Sequence, residues 1–320
     1  MKPIAAALAL LCTLLIASPA SAAYPDRPIR MVVTFPAGSN SDVMARILSD
    51  AMSKDLGQPI IIDNRGGAQG IIGMQAATTA APDGYTIVVI GVTTGASNPS
   101  MFRKLPYDPM KDLTIIGMVA DSPLVLVSSP ALPVASANEL FALARKQPGK
   151  LSYGYGSGSA QVACAKLVSM VDAQVLSVPY KGSPQAMTDL IGGQIDFTLI
   201  DVSLAMPQAK SGKVKALAVT TKERFPLMPD TPTLDEIGVK GYDLSVWFAL
   251  GAPAGLPAPI VDRLSTSLKT ALANPELTKR FSEQAITPKY STPDQARSFM
   301  QKEIIEWGKM IKAAGVEPLD

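Results

Sequence analysis

Two loops of small polar residues, each lying between an apolar strand pattern and a helical pattern, contain the residues best suited to chemistry. Residues 36–41 read PAGSNS and residues 154–161 read GYGSGSAQ. The start of a helix carries unpaired N–H groups and the positive end of the helix dipole, so both loops predict a site for an anion such as a carboxylate. Each loop is also compatible with an ordinary turn whose small residues serve only the chain reversal.

Neither loop matches a catalytic or nucleotide-binding motif. The glycines of the second loop have G-x-G-x-G spacing, unlike the dinucleotide fingerprint, and Tyr155 stands where a nucleophile elbow has its first glycine. The chain contains no histidine, the commonest general base and metal ligand. A secreted hydrolase using Ser157 or Ser159 would need desolvated Lys166 or Lys181 as its base, and this stays an alternative. We predict no enzyme activity, no catalytic residue, no cofactor and no metal site.

Polar residues follow three further strand patterns, at residues 93–98, 180–182 and 201–203. The neutral donors of residues 93–98 could hold a carboxylate without a buried cation. Lys181 could pair with an acidic ligand, although a solvated surface lysine is favoured. Asp201 could accept a hydrogen bond from a ligand or cap the next helix, and Asp42 could contact a ligand, although stabilising the first helical turn is favoured. The predicted substrate-binding residues are Phe35, Ala37, Gly38, Ser39, Asn40, Asp42, Thr93, Thr94, Ala96, Ser97, Tyr155, Ser157, Gly158, Ser159, Gln161, Tyr180, Asp201 and Val202.

The elements that must position these loops alternate between strand and helix along the chain, a pattern typical of βαβ units and parallel sheets. A chain of 320 residues exceeds the usual size of one core, so we expect two domains. Candidate crossings lie at residues 121–123 and near Trp247, which could line a cleft or pack a hinge; after residue 257 we expect only helices. The predicted first domain is 23–122 plus 247–320 and the second is 123–246, with both sets of strand ends facing a cleft between them.

The N-terminus has the composition of an export signal. Lys2 precedes apolar residues 4–17, and Ala20-Ser21-Ala22 fits a cleavage site, so we predict a signal peptide at residues 1–22 that is cleaved near Ala22; an uncleaved anchor is the alternative. Cleavage leaves Cys164 as the only cysteine, which excludes an intramolecular disulfide. With 29 basic and 27 acidic residues, the charge balance argues against a nucleic-acid partner.

Several motifs occur in an order that resembles one known family. They are FPAG at 35–38, DNRGGAQG at 63–70, PDGYT at 82–86, LPYD at 105–108, VPYKG at 178–182, GGQID at 192–196 and the segment 247–257. Together they resemble the Bug family, the TctC-type solute-binding proteins of tripartite tricarboxylate transporters. The resemblance implies two Rossmann-like domains of the periplasmic binding protein type II kind, joined by a two-crossing hinge.

The same resemblance implies a periplasmic, monomeric protein that captures a small organic carboxylate and delivers it to the membrane subunits of the transporter. A ligand-sensing partner of a signalling receptor is an alternative, because a closing cleft can report occupancy as well as feed transport. The second loop departs from the family pattern, with Tyr155 replacing a serine and Val162 standing where histidine is common. Together with Phe35, these residues favour an aromatic carboxylate such as a terephthalate or benzoate type, ahead of an aliphatic dicarboxylate.

Overall fold

The computed structural model describes residues 24–320, so the predicted signal peptide lies outside the described residues. The strands are β1 (Ile29–Val33), β2 (Ile60–Asn64), β3 (Thr86–Gly91), β4 (Leu113–Ser128), β5 (Ser152–Tyr155), β6 (Leu176–Pro179), β7 (Phe197–Asp201), β8 (Lys215–Val219), β9 (Ser245–Pro253) and β10 (Thr287–Pro288). The helices are α1 (Asn40–Leu56), α2 (Ile71–Thr78), α3 (Asn98–Met101), α4 (Ala137–Lys146), α5 (Gly158–Met170), α6 (Ser183–Ile191), α7 (Val202–Lys210), α8 (Ala258–Leu272), α9 (Pro275–Glu283) and α10 (Pro293–Ala313). A π-helical turn at Thr93–Ser97 precedes α3.

The strands follow the order β2-β1-β3-β9-β4-β7-β5-β6, with β8 and β10 both paired to β4. At one end β1 is parallel to β2 and β3, and at the other β5 is parallel to β6 and β7. The prediction of parallel sheets is therefore confirmed within each end. It is wrong in the middle, where β9 runs antiparallel to β3 and β4, and β4 runs antiparallel to β7. Strand β4 leads the chain out of the first sheet and β9 leads it back, so these two strands run in opposite directions beside each other.

Strand β4 passes from one sheet into the other. Its residues 113–123 pair with β9, whereas residues 124–128 pair with β7 and β8. Two separate strands were expected on either side of residues 121–123, but the strand is continuous through Pro123, opposite Ser245. Register shifts after Ile115 and Met118 mark bulges, which bend a strand and increase its twist.

The architecture is mixed α/β with two lobes joined by two crossings, as the sequence predicts. We call residues 24–122 and 247–320 the first lobe and residues 123–246 the second lobe. These bounds remain a proposal, supported by the change of strand partners between Pro123 and Leu124 and by the start of β9 at Ser245.

The chain returns to the first lobe through β9 and ends there in α8, α9 and α10. Helix α10 begins with a capping box, in which Thr292 and Gln295 bond each other's backbone. Its buried side chains are Ala296, Met300, Trp307 and Ile311, whose spacing places them on one face of the helix. Helices alone were expected after residue 257, and this is wrong in one detail. The two-residue strand β10 pairs antiparallel with Ala120 and Asp121 of β4. Among residues 24–320, no helix combines the length and apolar character needed to cross a bilayer.

Candidate functional site

The carboxyl ends of strands from both lobes surround one small cavity. Its volume is about 50 Å³, enough for a few water molecules, so the two lobes lie closed against each other. The first lobe contributes the carboxyl ends of β1 and β3, and the second lobe contributes the carboxyl ends of β5, β6 and β7. Strand β9, which runs antiparallel to β3, contributes its amino-terminal start. The lining residues are Phe35, Ser39, Asn40, Ser41, Gly91, Val92, Thr93, Ser157, Ser159, Ser183, Asp201, Val246 and Phe248.

Two helices, one from each lobe, begin at this cavity with the same local arrangement. The hydroxyl of Ser39 caps α1 by accepting from the amide of Asp42, and the hydroxyl of Ser157 caps α5 by accepting from the amide of Ala160. Each capping serine also lies 3.1 Å from a second serine hydroxyl, Ser41 in α1 and Ser159 in α5. A cap satisfies only one of the free amides at a helix start, so both helices can offer donors to an anion between them.

Hydrogen bonds join the two lobes across the cavity. The amide Nδ2 of Asn40 donates to Oδ1 of Asp201 at 3.0 Å, and the Ser203 hydroxyl donates to Oδ1 of Asn40 at 3.1 Å. The Thr93 hydroxyl accepts from the amide of Ser159 at 3.1 Å and donates to its hydroxyl at 3.2 Å. Four of the five side chains in these bonds, Asn40, Asp201, Thr93 and Ser159, also line the cavity, and Ser203 does not.

Asp201 is the only charged side chain among the cavity-lining residues. Burial raises the pKa of its carboxyl to about 6, and the hydrogen bond from Asn40 offsets part of that rise. Among residues 24–320, no lysine or arginine lines the cavity, so a bound anion would be held by hydroxyls, amides and helix dipoles.

Comparison with known proteins identifies the family to which the chain belongs. A model of the tripartite tricarboxylate transporter family receptor, TctC, matches residues 44–316. Protein BugT of Bordetella pertussis is 36% identical over 306 residues, which cover 94% of this chain and 94% of BugT. The chain belongs to this family.

Solved structures agree with the sequence comparison. The periplasmic binding protein BugD superposes with a TM-score of 0.89 at 34% identity, covering 92% of this chain and 100% of that one. The R. palustris protein Rpa4515 with adipate gives a TM-score of 0.90 at 33% identity, over 92% of this chain and 100% of the other. The predicted resemblance and fold class are confirmed, and the chain is a Bug-family, TctC-type solute-binding protein of the periplasm.

In this TctC-type protein Asp42 lies outside the cavity wall and anchors the first loop. Its carboxylate accepts from the amide of Gly38, from Nδ2 of Asn64 and from the guanidinium of Arg46. Burial alone would raise the pKa of Asp42, but these donors together hold it below its ordinary value. The geometry matches the structural role favoured for this residue.

Other predicted residues of the first lobe do not line the cavity. Thr94 bonds the backbone of Gly91, and the hydroxyl of Ser97 donates to the carbonyl oxygen of Thr93. Ala96 is fully buried in the core. The two small residues of the first loop that do not line the cavity are Ala37 and Gly38.

Predicted residues of the second lobe are also divided between the cavity and its surroundings. Tyr155 is buried, with its ring centre 6.3 Å from that of Tyr153, and it does not line the cavity. Tyr180 donates its hydroxyl to Asp189 at 2.9 Å. Gln161 faces a different surface cavity beside residues 314–317. The remaining two, neither of which lines the cavity, are Gly158 at the start of α5 and Val202 in the core.

Six lining residues were missed by the sequence analysis. Ser183 had a usable signal, because it begins α6 after β6 in the way that Asn40 begins α1 after β1. Val246 and Phe248 belong to the returning strand β9, whose apolar sequence indicates a core strand and gives no sign of a cavity wall. The other three are Ser41, Gly91 and Val92.

The geometry around the serines offers little to a Ser–Lys hydrolase. Lys166 lies 4.8 Å from the ring centre of Tyr242, and burial lowers the pKa of its ammonium. Lys181 is exposed. Over residues 24–320, neither lysine donates a hydrogen bond to Ser157 or Ser159, and no three Cys, Asp or Glu side chains group as metal ligands.

Proposed function

We propose that this protein captures a small organic carboxylate between its lobes and delivers it to the membrane subunits of a tripartite tricarboxylate transporter. The observation that carries this proposal is that two serine-lined helix starts, α1 from one lobe and α5 from the other, open into one cavity. Opposed helix starts supply hydrogen-bond donors and positive dipole ends from both sides. Closure of the lobes would then enclose the anion and bury it from water.

For the ligand class, our first candidate is an aromatic carboxylate of the terephthalate or benzoate type. Phe35 and Phe248 on the cavity wall, with Val92 and Val246, support an apolar body between the polar helix starts. Tyr155, which the sequence analysis also used for this choice, lies outside the wall and lends it no support. An aliphatic dicarboxylate is the second candidate, supported by the similarity to Rpa4515 with adipate.

Titration calorimetry on the mature protein tests both the binding of a carboxylate and the proposed ligand class. The panel comprises terephthalate, benzoate, adipate and malate, with uncharged terephthalamide as the matched control for charge. We expect at least one carboxylate to bind and terephthalamide to give no heat, and tighter binding of the aromatic acids supports the first ligand class. With citrate added to the panel as a tricarboxylate, absence of binding by every mono-, di- and tricarboxylate contradicts the function.

A variant links binding to the helix starts. Ser39→Ala with Ser157→Ala removes both capping hydroxyls from the cavity wall, and each cap is worth about 1 kcal/mol to its helix. We expect carboxylate affinity to fall at least tenfold while the protein stays folded by circular dichroism. Ser136→Ala, which removes the equivalent cap of α4 away from the cavity, is the matched control.

We further propose that the protein acts without enzymatic turnover, as a periplasmic monomer with its signal peptide cleaved near Ala22. Tyr24, two residues beyond that point, already donates its hydroxyl to the carbonyl of Gly84 at 2.8 Å. N-terminal sequencing of protein from the periplasmic fraction tests the cleavage site, and light scattering tests the monomer. Loss of carboxylate uptake in a deletion strain tests delivery to the transporter, whereas normal uptake with an altered transcriptional response would favour the signalling alternative.

A further inference from the structure

Asp201 is placed where a bound acid must meet it. It ends β7, lies on the cavity wall and receives the hydrogen bond from Asn40 across the cleft. The orientation of Asn40 is set by Ser203, which donates to its Oδ1, so Nδ2 points toward Asp201. The carboxyl is therefore held at the junction of the two lobes and beside the space proposed for the ligand.

The elements around this carboxyl bring no cation to it. The wall residues from α1, the end of β3, α5, α6 and β9 are serines, an asparagine, a threonine and apolar side chains. Charged groups on neighbouring elements are engaged elsewhere. Asp42 of α1 pairs with Arg46, and Asp121 of β4 pairs with Lys289. Asp189 of α6 accepts a hydrogen bond from Tyr180, and Lys215 of β8 donates to the carbonyl oxygens of Leu132 and Val134. Lys210, in the last turn of α7, forms no ion pair with Asp201 in the part of the chain that the structure describes.

An organic carboxylate entering this cavity would lie close to a second carboxylate with no positive charge between them. Two carboxyl groups that share a site repel each other when both are ionised, and one of them takes up a proton. Burial has already moved the pKa of Asp201 upward to about 6, so this group titrates more readily near neutral pH than an ordinary carboxyl.

We propose that Asp201 binds one proton from solvent when an organic carboxylate enters the cavity, so that ligand capture is coupled to proton uptake. The proton adds to a carboxylate oxygen of Asp201, and the neutral group then donates a hydrogen bond to the ligand carboxylate while it can still accept from Asn40. No other bond forms or breaks. The proposal rests on the proposed function, since it concerns the same site.

Calorimetry in two buffers measures the proton directly. Terephthalate and adipate are titrated into the mature protein at pH 7 in phosphate and in Tris, whose ionisation enthalpies differ. We expect uptake approaching one proton per bound acid, and an affinity that falls about tenfold for each pH unit above neutral. Asp201→Asn should bind with no proton uptake and with an affinity independent of pH between 6 and 8. Asp50→Asn, the same change on the outer face of α1, should behave as the unaltered protein does.

The outcomes distinguish failure of proton-coupled binding from failure of the proposed carboxylate-binding function. Binding without proton uptake by the unaltered protein overturns the proposal and leaves the proposed function standing. Uptake that persists in Asp201→Asn also overturns it, because the proton must then reside on the ligand or another group. Failure of every carboxylate to bind overturns both. The two-buffer measurement needs no variant, so a folding defect in Asp201→Asn cannot block the test.

Discussion

Thr93 of the first lobe holds Ser159 of the second lobe by two hydrogen bonds, one accepted from the Ser159 amide at 3.1 Å and one donated to its hydroxyl at 3.2 Å. Both residues are buried. The amide belongs to the first turn of α5, where a helix has donors that its own backbone cannot satisfy. Closing the lobes therefore provides a partner for one of these donors, and opening them exposes it to water.

Thr93→Val keeps the shape of the side chain and removes both bonds. A buried amide without a partner costs about 2 kcal/mol, which is roughly a thirtyfold change in an equilibrium constant. We expect the closed state to be destabilised and carboxylate affinity to fall by about that factor, measured by calorimetry. Thr188→Val, on the exposed face of α6, is the matched control and should bind normally. Unchanged affinity in Thr93→Val would show that this contact does not contribute to closure.

Gly182 lies against the first lobe at a point where a methyl group has no room. A Cβ added there would come within 2.9 Å of both Cδ and Cγ of Pro36, whose ring cannot rotate away. Overpacking of this kind costs about 1–3 kcal/mol, so Gly182→Ala should prop the lobes apart and weaken carboxylate binding about tenfold or more. Small-angle scattering with saturating terephthalate or adipate should then show a larger radius of gyration than for the unaltered protein.

Gly182 precedes α6 and Gly192 follows it, so Gly192→Ala at the other end of that helix provides the control for this prediction. A Cβ there meets its nearest atoms at 3.5 and 3.7 Å, which is ordinary contact. We expect it to leave closure and affinity unchanged. Equal effects of the two substitutions would indicate a general loss of α6 stability.

Sequence patterns predicted the site best where it depends on local chemistry. The capping serines Ser39 and Ser157 and the strand-end residues Thr93 and Asp201 follow from the succession of strand, loop and helix, and all four line the cavity. Phe248 could not be found this way, since its position on the wall depends on pairing between β9 and β3 across more than 150 residues of chain. Long-range antiparallel pairing has no local signature. For the same reason the continuity of β4 through Pro123 was not expected.

Glu303 of α10 binds the indole groups of both tryptophans in the sequence. Its Oε2 accepts from Nε1 of Trp247 at 2.7 Å and from Nε1 of Trp307 at 3.0 Å. Trp247 is 3% exposed and packs edge-on against Phe299, which agrees with packing at the hinge more than with lining the cleft. Glu303→Leu leaves two indole donors without a partner at the second crossing between the lobes.

We expect Glu303→Leu to lower the free energy of unfolding by about 2–4 kcal/mol, since each unpaired donor costs about 1–2 kcal/mol. The intrinsic fluorescence of the folded protein should change, because Trp247 and Trp307 both lose their hydrogen bond to Glu303. Glu306→Leu removes only an exposed ion pair to Lys309 and should change stability by less than about 1 kcal/mol. If both variants unfold at the same denaturant concentration, the shared carboxylate has no special role in stability.

Asp42 and Asp201 should change stability with pH in opposite directions. The pKa of Asp42 is lowered in the folded protein, so its contribution is present above the unfolded pKa near 4 and is lost as the pH falls. The pKa of Asp201 is raised to about 6, so the folded state binds more protons than the unfolded state between about pH 4 and 6, and stability falls as the pH rises through that window.

Asp42→Asn should therefore destabilise the protein at pH 7 by about 1–2 kcal/mol, with a smaller deficit at pH 4, because it gives up charge-assisted bonds that acid would weaken anyway. Asp201→Asn should stabilise the ligand-free protein at pH 7 by on the order of 1–2 kcal/mol and have little effect at pH 4. Urea unfolding at both pH values measures the difference. Both substitutions replace a carboxylate with an amide, and both residues lie beside the same cleft. If both lower the free energy of unfolding at pH 7, burial of Asp201 does not penalise its charge.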